Sequence, residues 1–480
     1  MYKKIFIITL VFAMSLTLVG CKKEYVIETC EITGEVDFPE NEIDYDLLSE
    51  VIYTIEGTHY TLPTRETLIK GAIEGVISSL DDPYSKYFNS EDFSDYETFF
   101  NESYIGLGIS IETIDEVFVV REIIKGSPAE LGGLLYNDVI VSINGVSVLD
   151  KSYSEMSDLL PVDVGEVVEF SVIRSGIENI HDVSVTVGIV FHPSVSYSVI
   201  ERGNELIGYI NVRKFGNLTA TLFLDALNDL EDKGIDSLVI DLRGNPGGKL
   251  EATILMLRRL LVYSYDPMFR ISSEAYGEVY NYFYFGTLTE PKDYDIVTLV
   301  NERSASASEI FASAMQEHGG YTILGVTTYG KGVGQNSTEL IESEGDTLRL
   351  TTGTWYTAEG NWIHGIGVIP NIIQELNRYE EAYEVFLLNG EVIKYDTVGE
   401  RVANIQVVLN LMGYTVRTDG YYDLATKEAV MEIQASHSLT VTGNLDRNSL
   451  DIINEALSDY QNNVDNDSQL QAAIDYLTGN

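Results

Sequence analysis

Basic residues are scarce in this chain. It has 480 residues, with 30 lysines and arginines against 75 aspartates and glutamates, a formal net charge of −45 at pH 7. Nucleic-acid binding needs a basic footprint, so no nucleic-acid partner is expected. The same charge repels an anionic lipid surface, so any membrane attachment must come from something other than charge. Cysteine is scarcer still. Cys21 and Cys30 are the only two, and both precede the first globular pattern. They provide no disulfide framework and no cysteine metal site. The six histidines form no short-spaced ligand pair, so no metal is expected. No internal repeat is apparent, and no low-complexity segment outside the terminal tails. What is present is apolar mass: hydrophobic residues make up 45% of the chain, enough for packed cores. The length allows two to four domains.

The N-terminus reads as an export signal. Lys3 and Lys4 precede an apolar run from Ile5 to Val19, too short to span a bilayer comfortably, which ends in Leu18-Val19-Gly20-Cys21. A cysteine directly after a small residue resembles the lipobox of bacterial lipoproteins. That resemblance implies a signal peptide over 1–20, cleavage before Cys21, and a lipid on its sulfur. The chain would then sit on the extracytoplasmic face of a bacterial membrane, held by hydrocarbon burial at about 0.8 kcal/mol per CH₂. Residues 21–43 read as an acidic tether.

Periodicity divides the rest. Over 44–102 apolar residues recur at i, i+3 and i+4, as in Leu47, Leu48, Val51 and Ile52, then Leu68, Ile69, Ala72, Ile73 and Val76. Pro83 closes the second of these helices. Over 103–190 the period is two, with Gly-Ser-Pro and Asn-Gly turns, predicting a small β-rich module. Over 191–393 strands and helices alternate, predicting an α/β core. Residues 398–457 restart as a compact helical unit, and 458–480 read as an acidic tail that frays.

Three segments carry chemistry. The strand Ile296–Val300 runs into Asn301-Glu302-Arg303-Ser304-Ala305-Ser306-Ala307-Ser308-Glu309 and then a helix. A serine at such a turn sits among unpaired amides that can hold a negative oxygen. Ser306-x-x-Glu309 is equally a helix capping box. Gly325–Gln335 (GVTTYGKGVGQ) nearly matches a phosphate-binding loop, but glycine replaces the hydroxyl residue after Lys331 and no amphipathic helix follows. A lysine between glycines in a partly buried loop is instead disposed to lose its charge and act as a base, with Gln335 orienting the amine. A solvated loop lysine is the bland alternative. Asp241–Gly248 (DLRGNPGG) follows a buried strand, and its paired glycines allow close backbone approach. His318 offers a rival base, though a structural role at a helix end suits it better.

Taken together, LDDPYSKYF over Leu80–Phe88, DLRGNPGG, SASASE over Ser304–Glu309 and GKGVGQ over Gly330–Gln335 resemble the carboxy-terminal processing, or tail-specific, protease family over about residues 44–380. The resemblance implies a multidomain α/β chain with a ClpP/crotonase-like serine protease core, an inserted PDZ domain and a small all-α C-terminal domain. It implies Ser306 as nucleophile, Lys331 as general base and Gln335 as its positioner. Ala307 would supply one oxyanion amide and Gly247 the other, with Gly248 close behind. No cofactor is implied. Tyr104-Ile105-Gly106-Leu107-Gly108, Gly126-Ser127-Pro128-Ala129 and Ile143-Asn144-Gly145 resemble a PDZ domain, in which 104–108 would bind a substrate's C-terminal carboxylate. Partners would be proteins or peptides with exposed C-termini. Leu135 stands where many relatives carry a basic residue. Residues 400–456 resemble the type 1 peptidoglycan-binding domain, so peptidoglycan is a further expected partner. Tyr421 and Tyr422 are its candidate sugar contacts, with packing the plainer role, and Asp423 replaces a usual glycine. An oligomer is left open, as is a non-catalytic envelope scaffold.

Overall fold

The computed structural model describes residues 6–11, 29–34 and 45–479, apart from 115–116, 161–162, 175–179, 276–277, 342, 344 and 388–390. Cys21 therefore lies outside the described residues. Phe6–Val11 pairs antiparallel with Thr29–Gly34. Among the described residues no helix is long and apolar enough to cross a membrane. The chain forms two compact units, 1–95 with 334–353 and 96–333 with 354–480.

In the first unit, helices Tyr45–Thr58 and Arg65–Ser78 follow the expected spacing. Thr64 caps the second by accepting from Thr67 N–H. Of their apolar stripe, Leu47, Leu48, Val51, Ile69 and Val76 are exposed, while Ile52, Leu68, Ala72 and Ile73 are half-buried. Lys86–Phe88 pairs antiparallel with Thr347–Arg349.

The second unit holds three modules. The first is an antiparallel sheet of His181–Thr186, Val167–Ile173, Val139–Ile143, Val117–Ile123 and Ile109–Ile114, in that order. Alternate residues such as Phe118, Val120, Ile140, Val168, Phe170 and Val172 close its core against Ala129, Leu134 and Met156.

The second module is a six-stranded sheet ordered Val195–Arg202, Glu205–Val212, Ser237–Asp241, Asp295–Val300, Thr322–Gly325 and Ile372–Ile373. The first pair is antiparallel and the rest parallel. Helices Thr219–Asp232, Leu250–Leu260 and Ala307–Ser313 cover one face through Phe223, Leu227, Leu257 and Phe311. The other face is covered by Ser468–Thr478, part of the segment expected to fray. The expectation fails because Leu470, Ala473 and Ile474 recur at helical spacing and are 2%, 0% and 2% exposed against Ile207, Val239, Val297, Leu299 and Leu324.

The third module comprises helices Glu400–Leu411, Leu424–Ser436 and Arg447–Asn462. It contains a repeat that composition did not reveal. Buried Gln406 accepts from Gly420 N–H and donates to Thr426 Oγ1, while buried Gln434 accepts from Gly443 N–H and donates to Ser449 Oγ. Asp423 and Asp446 cap the helices that follow. The Asp423 departure is thus a helix cap, worth about 1 kcal/mol. Tyr422 is fully buried and donates to Gly443 O, so packing is its role. Tyr421 donates to Asp396 Oδ1.

The segment leading into this module also clasps the β-rich one. Val385 and Leu387 enter the helical core, whereas Phe386 packs on Val117, Val119 and Val139. Glu384 accepts from Arg121 Nη1 (2.5 Å), Asn137 Nδ2 (3.0 Å) and Tyr136 OH (3.0 Å). Burial and then Glu384 push the Tyr136 hydroxyl up to about 12.

Candidate active site

Three adjacent parallel strands end at one edge of the sheet, and each leads into one of the three motifs. Ser237–Asp241 runs into Leu242–Gly248, Asp295–Val300 into Asn301–Glu309, and Thr322–Gly325 into Val326–Val333. Register pairs Asp241 with Leu299 and Val300 with Gly325, so the motifs start level with one another. Open α/β sheets bind ligands beyond the carboxyl ends of their strands, and this edge is such a place.

The three serines of SASASE do different work. Ser304 Oγ donates to Leu242 O (2.8 Å) and Ser308 Oγ to Asn245 O (2.9 Å), both fully buried. They stitch the turn to the Asp241–Gly248 loop. Ser306 between them is half-buried, and its φ of 56° and ψ of −113° lie in a region L-residues avoid. Holding such a conformation costs about 1–3 kcal/mol, which the surrounding bonds must supply.

Glu309 supplies most of them. Its side chain is fully buried within an apolar helix. Oε2 accepts from Ser306 N–H (2.7 Å) and Lys331 N–H (2.8 Å), and Oε1 from Gly330 N–H (2.6 Å) and Thr328 Oγ1 (2.6 Å). One carboxylate oxygen therefore joins the serine's amide to the lysine's amide, and the two nitrogens lie no further apart than those two bonds end to end. The Glu309 half of the capping box forms, and it extends across to the second motif, while Glu309 N–H donates to Ser306 O (2.9 Å). Tyr329 N–H to Ser304 O (3.0 Å) ties the same two loops. The Lys331 backbone is held on its other side too, since Trp355 Nε1 donates to Lys331 O (2.9 Å) and Trp362 Nε1 to Gly332 O (2.9 Å). The Lys331 side chain is half-buried. Glycine is required beside it: a Cβ on Gly330, at φ +88°, would press to 3.0 Å from the amides of Ile366 and Gly367.

The third loop comes equally close. A Cβ on Gly247, at φ +102°, would meet Ser306 Cβ at 2.9 Å and Ala307 N at 3.0 Å. The Gly247 amide itself is turned to Asn245 Oδ1 (2.9 Å). Ala307 N–H and Gly248 N–H have no hydrogen-bond partner among the described residues. Asn245, fully buried, also donates to Val212 O and accepts from Ala305 N–H. Gln335 belongs to the first unit, where its Nε2 donates to Thr351 Oγ1 and its Oε1 accepts from Arg349 Nη2. His318 lies against Val262 O (2.9 Å), a structural contact. Sequence reasoning missed Glu309 as a bridge, as well as Asn245 and Thr328. An acidic residue inside Ile310-Phe311-Ala312 apolar surroundings was the signal for the first.

A cleft of about 480 Å³ opens in the β-rich module, lined by Tyr104–Ile111 on one side and by Tyr153, Met156 and Leu160 on the other. The amides of Leu107 and Gly108 have no partner among the described residues. Gly108 is at φ +79°, where a Cβ would collide with Ser127 Cβ at 2.3 Å. Leu135 is half exposed; cations beside it are Arg121, engaged with Glu384, and Arg174, engaged with Asp138 and Gly133 O.

This geometry makes sense of what sequence comparison finds. Residues 206–374 match the family model described as peptidase family S41, 119–174 a PDZ domain, 398–453 a putative peptidoglycan binding domain, and 33–92 the activating protease CtpB N-terminal domain. The chain is a serine-type peptidase. It is 32% identical over 474 residues to carboxy-terminal processing protease CtpA of Bacillus subtilis (strain 168), covering 98% of this chain and 97% of that one. CtpB of the same organism is 32% identical over 446 residues, covering 93% and 91%. The solved photosystem II D1 C-terminal processing protease is similar at 24% identity and a TM-score of 0.41, over 68% of this chain and 92% of that one. The chain belongs to the carboxy-terminal processing protease family.

Proposed function

We propose that this chain is an endopeptidase with a Ser306–Lys331 dyad that cuts extracytoplasmic proteins from their C-termini. Ser306 Oγ attacks the scissile carbonyl carbon as the neutral Lys331 amine takes the hydroxyl proton. The carbonyl oxygen becomes an oxyanion that the Ala307 amide and the Gly248 amide receive. Collapse breaks the C–N bond, the ammonium of Lys331 returns its proton to the leaving nitrogen, and the acyl group stays on Ser306. Water, deprotonated by the same amine, then releases the acid. The observation that carries this reading is the Glu309 carboxylate, which holds the Ser306 and Lys331 amides on one oxygen.

The cleft over Tyr104–Gly108 would take the substrate's terminal carboxylate on the Leu107 and Gly108 amides, with an apolar last side chain against Met156 and Leu160. A lipid on Cys21 would hold the chain at the outer face of the membrane, and the 398–457 module would meet peptidoglycan.

The test is a pair of protein substrates with the same apolar tail, one ending in a carboxylate and one in a carboxamide. Both should be cleaved. The amide should show kcat/KM lower by about tenfold, through KM, because amide N–H groups aimed at a charge lose their partner. Equal values would remove the tail-reading role, and cleavage of neither would remove the endopeptidase.

A further inference from the structure

The acidic C-terminal segment makes a contact that the proposed reaction would use. Its helix, Ser468–Thr478, is not only packed on the sheet but tied to the loop beside Ser306. Asp467, which caps the helix by accepting from Leu470 N–H (2.9 Å), receives both arms of one guanidinium: Arg243 Nη1 to Oδ1 (2.8 Å) and Nη2 to Oδ2 (2.7 Å). Arg243 lies in the motif Asp241–Gly248. Its remaining edge meets Asp241, with Nε to Oδ1 (3.0 Å) and Nη2 to Oδ2 (2.6 Å), and Tyr209 OH donates to the same Asp241 oxygen (2.8 Å). Gln469 Oε1 adds a further acceptor for Arg243 Nη1 at 3.2 Å, while its Nε2 donates to Gln374 O (2.7 Å). The pairing is largely shielded from water, with Arg243, Asp241 and Asp467 side chains 17%, 3% and 23% exposed. Burial alone would raise the Asp467 carboxyl, but Arg243 overrides it and holds it below the usual carboxylate range.

We propose that Asp467 is a positioning residue for peptide cleavage: through Arg243 it sets the Asp241–Gly248 loop, and with it the amide of Gly248 and the close approach of Gly247 to Ser306. The proposal rests on the reading of Ser306 as nucleophile. Several ties place this loop, among them Ser304 Oγ to Leu242 O (2.8 Å) and Phe215 N–H to Gly247 O (3.0 Å). Asn245 binds it to the nucleophile turn through Ala305 N–H and Ser308 Oγ, and Asn301 Oδ1 accepts from Gly244 N–H (2.8 Å). Arg243 adds the tie through which the loop also reaches the C-terminal segment. A bidentate guanidinium–carboxylate pair fixes both distance and angle, which suits it to placing a backbone rather than merely attracting a charge. Misplacing an oxyanion donor affects turnover more than substrate binding, because that bond strengthens only as charge develops.

The experiment uses the full chain in detergent. Active sites are titrated with a serine-reactive phosphonate, and kcat is expressed per titrated site on a peptide with a free apolar C-terminus. Asp467→Asn is the informative variant. Asparagine caps a helix as well as aspartate does, so the helix stays started while the negative charge facing Arg243 is removed. The expected result is kcat lower by about tenfold with KM unchanged. Asp467→Glu, which restores the charge on a longer arm, should recover part of it. Arg243→Lys keeps the cation but loses the fork, and should reproduce the loss. If Asp467→Asn lacks a cooperative melting transition, Arg243→Lys decides. Wild-type kcat per site in the decisive variant would overturn the proposal and make the helix a cover only. A wild-type chain that does not titrate at Ser306, yet still cleaves, would instead overturn the nucleophile assignment and be recognised as such.

Discussion

Lys331→Ala is expected to lower kcat by about 10⁴-fold while leaving the melting temperature close to wild type. The loop does not depend on the side chain for its shape, because the Lys331 backbone is held by Glu309 on the N–H side and by Trp355 on the carbonyl side. What disappears is the base. Without an acceptor for its proton, the Ser306 hydroxyl is a weak nucleophile at neutral pH. Lys331→Arg should fail equally, since a guanidinium stays protonated at any working pH. The check is steady-state hydrolysis of a peptide with a free apolar tail, together with thermal melting. A Lys331→Ala enzyme keeping more than about a tenth of wild-type kcat would remove the lysine from the mechanism.

Glu309→Ala is expected to be costly twice over. It strands Ser306 N–H, Gly330 N–H, Lys331 N–H and Thr328 Oγ1 in a buried space. Each lost partner costs about 1–3 kcal/mol, and water entering the gap recovers part. A net loss of about 3–5 kcal/mol follows, as for breaking other buried charged contacts. The strained Ser306 backbone then loses the bond that holds it, and kcat per folded molecule should fall by about 10²-fold. Glu309→Gln separates the two effects. Its single oxygen satisfies two of the four donors, while its amide hydrogens face the other two. Stability and turnover should both lie between alanine and wild type. Melting curves and active-site-titrated kcat check this, and wild-type values for Glu309→Ala would show that the two loops find each other without the carboxylate.

Much of the core was readable because its signals are local. Strands Ser237–Asp241 and Asp295–Val300 are built on apolar runs bounded by turn residues, and the motifs that follow them are contiguous strings. Parallel neighbours then bring those strings to one edge without further information. What could not be read depends on rotamers and partners. Gly247 and Gly248 are identical as letters, and only the direction of the Asn245 side chain decides which amide is already used. Glu309 reads as a cap from its spacing, and only the fold brings Gly330 and Lys331 to its second side. The C-terminal helix was hidden by charge: Leu470, Ala473, Ile474 and Leu477 keep helical spacing, but polar and acidic neighbours dilute it. The N-terminal helices show the converse. Periodicity identified them correctly, yet periodicity says nothing about a partner, and Leu47, Leu48, Val51, Ile69 and Val76 stay exposed.

Cleavage turns on a single hydroxyl made reactive by a single amine. The most direct measurement is the rate at which a serine-directed phosphonate modifies the chain, followed by intact mass and peptide mapping, for wild type and Lys331→Ala. One adduct is expected, on Ser306, formed at a rate that collapses when the amine is removed. An adduct on another serine, or on Ser306 at an undiminished rate without Lys331, would contradict this mechanism.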